Sequence, residues 1–299
     1  MQINPARENT APHAWCTLEP VAICRDKLQK LPFKLTHSLA GNPLFQIDQL
    51  LAVAKYAKNV YFDAGNVSID DRWGDIPVPN MPVEEVISRV ENNGAWIILK
   101  EMEKISPEYA AVMGEFTAFV HELYGAGADE RFLKPEMLVI ISSPGRLTPF
   151  HFDAEVNFLA QIMGEKHVWI CDPSDRAVVT DEDIEKYYNQ QNVGTYRKGV
   201  ETHATSYVLQ PGEAVHIPTH AAHWIKNGNG VSVSLSLNFE QPFGAYHDAL
   251  RANWIMRKFG MRPLPAGRDA RRDKLKSTLL KAGTRTLGPM LSKARTLIK

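Results

Sequence analysis

Between residues 137 and 239 the chain offers a succession of short apolar runs broken by turn residues, and this pattern more than any other limits its fold. Runs over 137–141, 150–153, 157–163, 166–171, 206–209, 214–217 and 231–239 are each of strand length and rich in Val, Ile, Leu and Phe. Many short strands with few helices between them predict an antiparallel barrel or jelly roll. The polar interval 173–205 interrupts the series and reads as an insertion with a short helix over 181–188.

The flanks have a different period. Three amphipathic helices are expected before Gly125: one opened by Pro43 with Leu44, Ile47, Leu51 and Ala54; one opened by Pro82 with Val83, Val86, Ile87 and Val90; and one after Ser106-Pro107 with Val112, Met113, Phe116, Phe119, Val120 and Leu123. Val60-Tyr61-Phe62 and Trp96-Ile97-Ile98-Leu99 read as strands between them. The aperiodic loop from Asp70 to Pro79 reads as a lid or an ordinary surface loop. After residue 239, helices are expected over 246–259, 268–281 and 287–298. In the last of these, Leu287, Met290, Leu291, Ala294, Leu297 and Ile298 form an apolar stripe suited to a dimer seam or to packing on the barrel, with a membrane surface or nucleic acid as other partners. The organisation expected is an α/β segment 1–125, a β core 126–245 and basic helices 246–299.

Charge sharpens the division. Residues 257–299 hold 13 Lys or Arg against Asp269 and Asp273, although the whole chain has formal net charge +0. An acidic partner for the tail follows, whether nucleic acid, anionic membrane or the protein's own body. With 44% hydrophobic and 23% charged residues, disorder is not the default. No apolar run approaches the roughly 20 residues of a membrane span, and the opening residues lack the apolar region of a secretory signal, so a cytoplasmic location is expected. Cys16, Cys24 and Cys171 lack metal-site spacing and read as reduced thiols.

The chemistry gathers at Thr148-Pro149-Phe150-His151-Phe152-Asp153. On an extended segment His151 and Asp153 share a face, and one further histidine would complete a 2-His-1-carboxylate set that holds Fe(II) and leaves other positions open. His216, His220 and His223 are the candidates; His223 begins an extended run and can look back into the barrel. Gly164-Glu165 reads as a two-residue hairpin turn, which would put Asn157, Leu159, Gln161 and Lys166 on the inner face. A lysine inside a barrel needs an anion. A 2-oxo acid chelating the iron supplies one, and the far carboxylate of 2-oxoglutarate would be met by Lys166 and Thr148.

The run TPFHFDAEVNFLAQIMGEKHVW, the later GEAVHIPTHAAHWI and the strand VSVSLSLNF resemble the JmjC (cupin-like) family of Fe(II)- and 2-oxoglutarate-dependent oxygenases, within it the hydroxylases similar to the factor-inhibiting-HIF type. The resemblance spans roughly residues 135–240 and implies a double-stranded β-helix core, mainly β with flanking helices. It implies iron on His151, Asp153 and His223, the far carboxylate of 2-oxoglutarate on Thr148 and Lys166, and its near end beside Asn157 and Asn238. The implied activity is a dioxygenase that uses O2 to hydroxylate a C–H bond of a protein or peptide side chain or of a small metabolite, with succinate and CO2 as co-products. Ala221-Ala222 stand where the resembled hydroxylase is aromatic, which implies a different cleft wall. His167, His216 and His220 are expected to be structural. The competing expectation is a non-catalytic cupin-like regulator that binds metal or a 2-oxo acid and contacts nucleic acid through its tail.

Overall fold

The computed structural model describes residues 14–72, 75–190 and 194–296, with side chains described to residue 283. Trp73 and Gly74 of the candidate lid, the first 13 residues and the side chains of the 287–298 stripe lie outside the described residues.

The strands are β1 Trp15–Thr17, β2 Phe33–His37, β3 Val60–Ala64, β4 Ala95–Leu99, β5 Leu133–Ser142, β6 Leu147–His151, β7 Val156–Met163, β8 Lys166–Cys171, β9 Ala204–Leu209, β10 Glu213–Ile217, β11 His223–Asn227 and β12 Ser232–Glu240. The helices are α1 Val21–Lys27, α2 Ile47–Ala54, α3 Val83–Ser88, α4 Pro107–Tyr124, α5 Asp181–Gln190, α6 Ala245–Lys258 and α7 Ala270–Thr296. The strand pairings among the described residues are antiparallel, in an eight-stranded sheet ordered β1-β2-β10-β7-β12-β5-β4-β3 and a four-stranded sheet ordered β6-β11-β8-β9. This is a mostly antiparallel, cupin-like jelly roll with flanking helices.

Alternation along each strand sorts the apolar residues into separate layers. Leu159, Val215, Ile217, Trp96, Ile98 and Ile140 of the large sheet meet Val168, Ile170, Leu209 and Ile225 of the small sheet between the two. The neighbouring residues Phe158, Ala160, Ile97 and Val139 face the opposite way and pack with α4. Helix α4 starts with Pro107 in its first turn, behind Ser106, and ends at Gly125, whose φ of +65° suits a residue without a Cβ. Its Val112, Met113, Phe116 and Val120 supply the buried stripe expected from the sequence. A third cluster covers the outside of the small sheet, where Phe150, Phe152 and Trp224 meet Val178, Val179 and Ile184 of the insertion and Leu250 of α6.

Several expectations need correction. Residues 164–165 do not close a hairpin: β7 pairs with β10 and β12, whereas β8 pairs with β11 and β9 in the other sheet. The chain crosses between sheets here at Gly164, whose φ of +75° and close approach to Val231, with a Cβ only 2.4 Å from its carbonyl oxygen, require a residue without a side chain. Asn157, Leu159 and Lys166 nevertheless line the interior, each by its own strand's alternation. Strand β6 stops at His151, so Asp153 lies two residues beyond the ladder. The last two expected helices run together as α7, since the junction 282–286 holds no proline and its one glycine, Gly283, costs only about 1 kcal/mol in a helix.

An ion pair unforeseen in sequence ties the edge of the large sheet to the turn before β6. Asp63 of β3 and Arg146 are buried together, and Arg146 Nη1 also donates to Gly65 O and Gly94 O, each at 2.8 Å. Burial raises the Asp63 carboxyl and lowers the guanidinium, with each partner opposing the other's shift.

Candidate active site

His151 and His223 reach one point from neighbouring strands because β6 and β11 pair with His151 opposite His223. From that pair to the next, Thr148 opposite Ile225, three steps on β6 match two on β11. This bulge lets Thr148 and His151, an odd number of residues apart, both line the interior. The imidazole centroids are 4.1 Å apart. Asp153 Oδ2 lies 3.8 Å from His151 Nε2 and 3.7 Å from His223 Nε2, and one donor atom from each of the three residues falls within 4.8 Å of the others.

Both imidazoles are held for coordination. His151 Nδ1 lies 2.8 Å from Pro149 O and His223 Nδ1 lies 2.9 Å from Ala221 O. A carbonyl can only accept, so each Nδ1 carries the proton and each Nε2 presents a lone pair. Burial lowers both rings to about 4, with the neighbouring imidazole adding to the effect at His223, so both are neutral at pH 7. Burial raises the Asp153 carboxyl, opposed by His223. Two neutral imidazoles and a carboxylate with three converging donors fit a divalent metal of borderline softness.

The three donors open into a cavity of about 250 Å³ that is also lined by Thr148, Asn157, Lys166 and Asn238. All seven residues singled out in sequence therefore share one chamber. Lys166 is 2% exposed, and burial alone pushes its ammonium down to about 7, with no carboxylate among the described residues offsetting that burial. Asn157 and Asn238 face each other across β7 and β12. Asn157 Nδ2 donates to Ser236 Oγ at 2.7 Å and Ser236 Oγ donates to Asn238 Oδ1 at 3.1 Å, while Asn157 Oδ1 is buried without a partner. The unmatched ammonium fits a bound anion in this small chamber, and the unmatched Asn157 Oδ1 calls for a hydrogen-bond donor.

Other residues line the chamber beside these seven. Glu155 and Tyr187 stand beside Asp153, Trp96 and Ile98 come from β4 with Lys100 just after it, and Glu136, Leu138 and Ile140 come from β5. Burial raises the Glu155 carboxyl, and Asp153 adds to it. Their signal was present in the alternation 153-155-157-159 and in 96-98-100 and 136-138-140. Using it required knowing which sheet face turns inward. His216 and His220 do not join the metal donors: His216 Nε2 accepts from Gln29 N at 3.1 Å, and His220 Nε2 faces the Tyr188 hydroxyl at 3.0 Å.

Among solved structures, the chain is similar to the Escherichia coli ribosomal oxygenase YcfD in complex with cobalt and 2-oxoglutarate, at 16% identity and a TM-score of 0.55 over 90% of this chain and 68% of that one. An X-ray structure of E. coli YcfD matches at 13% identity and 0.53 over the same shares, and its complex with cobalt and succinic acid at 15% and 0.51 over 90% and 67%. At such identities the likeness speaks for the fold. A family model described as a cupin-like domain matches residues 75–245. With more than half of its length under that model, the chain belongs to the cupin-like domain family.

Proposed function

We propose that the protein is an Fe(II)- and 2-oxoglutarate-dependent dioxygenase that hydroxylates a C–H bond and releases succinate and CO2. The observation that carries this reading is the convergence of two Nε2 lone pairs and the Asp153 carboxylate in the same chamber as the buried, unmatched Lys166 ammonium. The cobalt, 2-oxoglutarate and succinic acid named for the similar YcfD structures support it, cobalt being a divalent stand-in for iron.

In this reading His151, Asp153 and His223 hold the metal. Thr148 and Lys166 take the far carboxylate of 2-oxoglutarate, and Asn157 and Asn238 flank its near end. When bound, Fe(II) couples oxidative decarboxylation of the 2-oxo acid by O2 to hydroxylation of the target carbon. The protein's share is to hold both imidazoles neutral through Pro149 O and Ala221 O, to orient the co-substrate along β6 and β8, and to keep bulk water away with Leu159, Ile217 and Ile225.

The substrate is a protein or peptide side chain, a class favoured over a small metabolite by the description of the similar structures as ribosomal oxygenases. The peptide substrate of the factor-inhibiting-HIF type is not carried over, since Ala221-Ala222 stand where its cleft wall is aromatic. The 1–125, 126–245 and 246–299 division, a cytoplasmic location and homodimerisation through the C-terminal helices belong to the same proposal. Among the described residues no helix is long and apolar enough to cross a membrane. Truncation after Gly283 should lower the sedimentation mass if the tail is the dimer seam. The activity is tested by comparing peptides treated with wild type and with Asp153→Ala by mass spectrometry: an added oxygen atom seen only with wild type supports the reading, and identical masses contradict it.

A further inference from the structure

Asp153 has no strand ladder to hold it, since β6 ends at His151. What meets its backbone is the turn between β10 and β11. In that turn Ala221 N donates to Pro218 O at 3.0 Å, and His220 N donates to Asp153 O at 2.8 Å. His220 adopts a φ of +63°, a left-handed conformation that any residue with a Cβ holds only under constraint. Its ring is nearly buried, edge-on to Phe152 at a centroid distance of 5.9 Å, with Nε2 facing the Tyr188 hydroxyl of helix α5 at 3.0 Å. One hydrogen bond joins the His220 ring nitrogen and the Tyr188 hydroxyl.

We infer that His220 and Tyr188 form a positioning pair for the metal centre: Tyr188 pins the His220 ring, the ring holds the left-handed turn, and the turn's N–H fixes Asp153 while its continuation delivers His223. This rests on the reading of His151, Asp153 and His223 as a metal site. The insertion between β8 and β9 thereby acquires a role, because its helix α5 supplies the hydroxyl that fixes the carboxylate donor. A histidine that is structural in the ordinary sense would tie α5 to the barrel and leave the donors unaffected.

Cobalt(II) binding separates the two cases without requiring turnover. Tyr188→Phe removes one oxygen. His220→Asn keeps the turn N–H and a residue type that tolerates left-handed backbone, but is too short to reach Tyr188. The measurement is cobalt(II) affinity and the visible cobalt spectrum at a temperature where circular dichroism shows every variant folded. Each single variant should bind cobalt(II) roughly tenfold more weakly, within the range for supporting partners of metal ligands, with an altered spectrum. The double variant should be no weaker than the worse single, since both changes break one link. Wild-type affinity and spectrum in both singles, or losses that multiply in the double, would overturn the inference while leaving the metal site standing. If wild-type protein has no cobalt(II) site that Asp153→Ala removes, the metal reading falls and the pair falls with it.

Discussion

Replacing Lys166 with methionine keeps an unbranched chain of similar reach and deletes the charge. The native ammonium sits at about 7 against an ordinary 10.5, and burial is the sole cause. Below about pH 7 the group is charged in both native and unfolded protein, so the whole burial penalty opposes folding. Between about 7 and 10.5 the unfolded chain keeps the proton that the native state has released, so stability rises with pH by about 1.4 kcal/mol per pH unit. The penalty therefore reaches about 5 kcal/mol at pH 6 and is about 2 kcal/mol at pH 9. Lys166→Met should be more stable than wild type by amounts of that order, with the gap shrinking as pH rises. Urea unfolding of both proteins at pH 6 and pH 9 measures it. Added 2-oxoglutarate at a hundred times its Kd should stabilise wild type by about 2.7 kcal/mol and the variant hardly at all, which narrows the gap at pH 6 and reverses it at pH 9. A gap that does not change with pH, or equal stabilisation of both proteins by 2-oxoglutarate, refutes the reasoning.

Other perturbations test other parts of the account. Asp63→Asn leaves the Arg146 guanidinium buried without its counter-charge and should cost about 3–5 kcal/mol of unfolding free energy in urea; a loss below about 1 kcal/mol would mean the pair behaves like a surface one. Gly164→Ala places a methyl against the Val231 carbonyl at a left-handed position, and calorimetry should show a loss of roughly 1–3 kcal/mol, whereas an unchanged melting temperature contradicts the close sheet-to-sheet crossing. Thr148→Val removes a hydroxyl with little change of shape and should weaken 2-oxoglutarate binding roughly 10- to 100-fold by calorimetry, while equal binding would remove Thr148 from the co-substrate site.

Strands β3 to β12 and most of the helices were legible because each keeps its period over enough residues to be read locally, whereas β1 and β2 were not foreseen. β8 coincides with the expected 166–171, and α5 falls within two residues of the expected 181–188. Pairing was not legible. Gly164-Glu165 has the composition of a hairpin turn, yet the contact that decides the matter, with Val231, is far along the chain. The bulge that brings Thr148 and His151 to one face depends on the spacing within β11, so β6 alone could not reveal it. Arg146 finds Asp63 across 83 residues, and no local pattern marks either as buried. The donor residues were readable because their types are chemically restrictive. Glu155 and Glu136 were not, because a glutamate on an alternating strand becomes cavity lining only once the inward face is known.

The central claim is that three donors and a lysine-bearing chamber make one Fe(II) and 2-oxoglutarate site. Anaerobic titration of the metal-loaded protein with 2-oxoglutarate, followed by admission of O2, tests it in a single sample. Wild type should develop a visible charge-transfer band that saturates at one 2-oxoglutarate per chain and then yield succinate, and Asp153→Ala should do neither. Wild-type protein that carries a full complement of Fe(II) yet shows no band and forms no succinate would contradict the account.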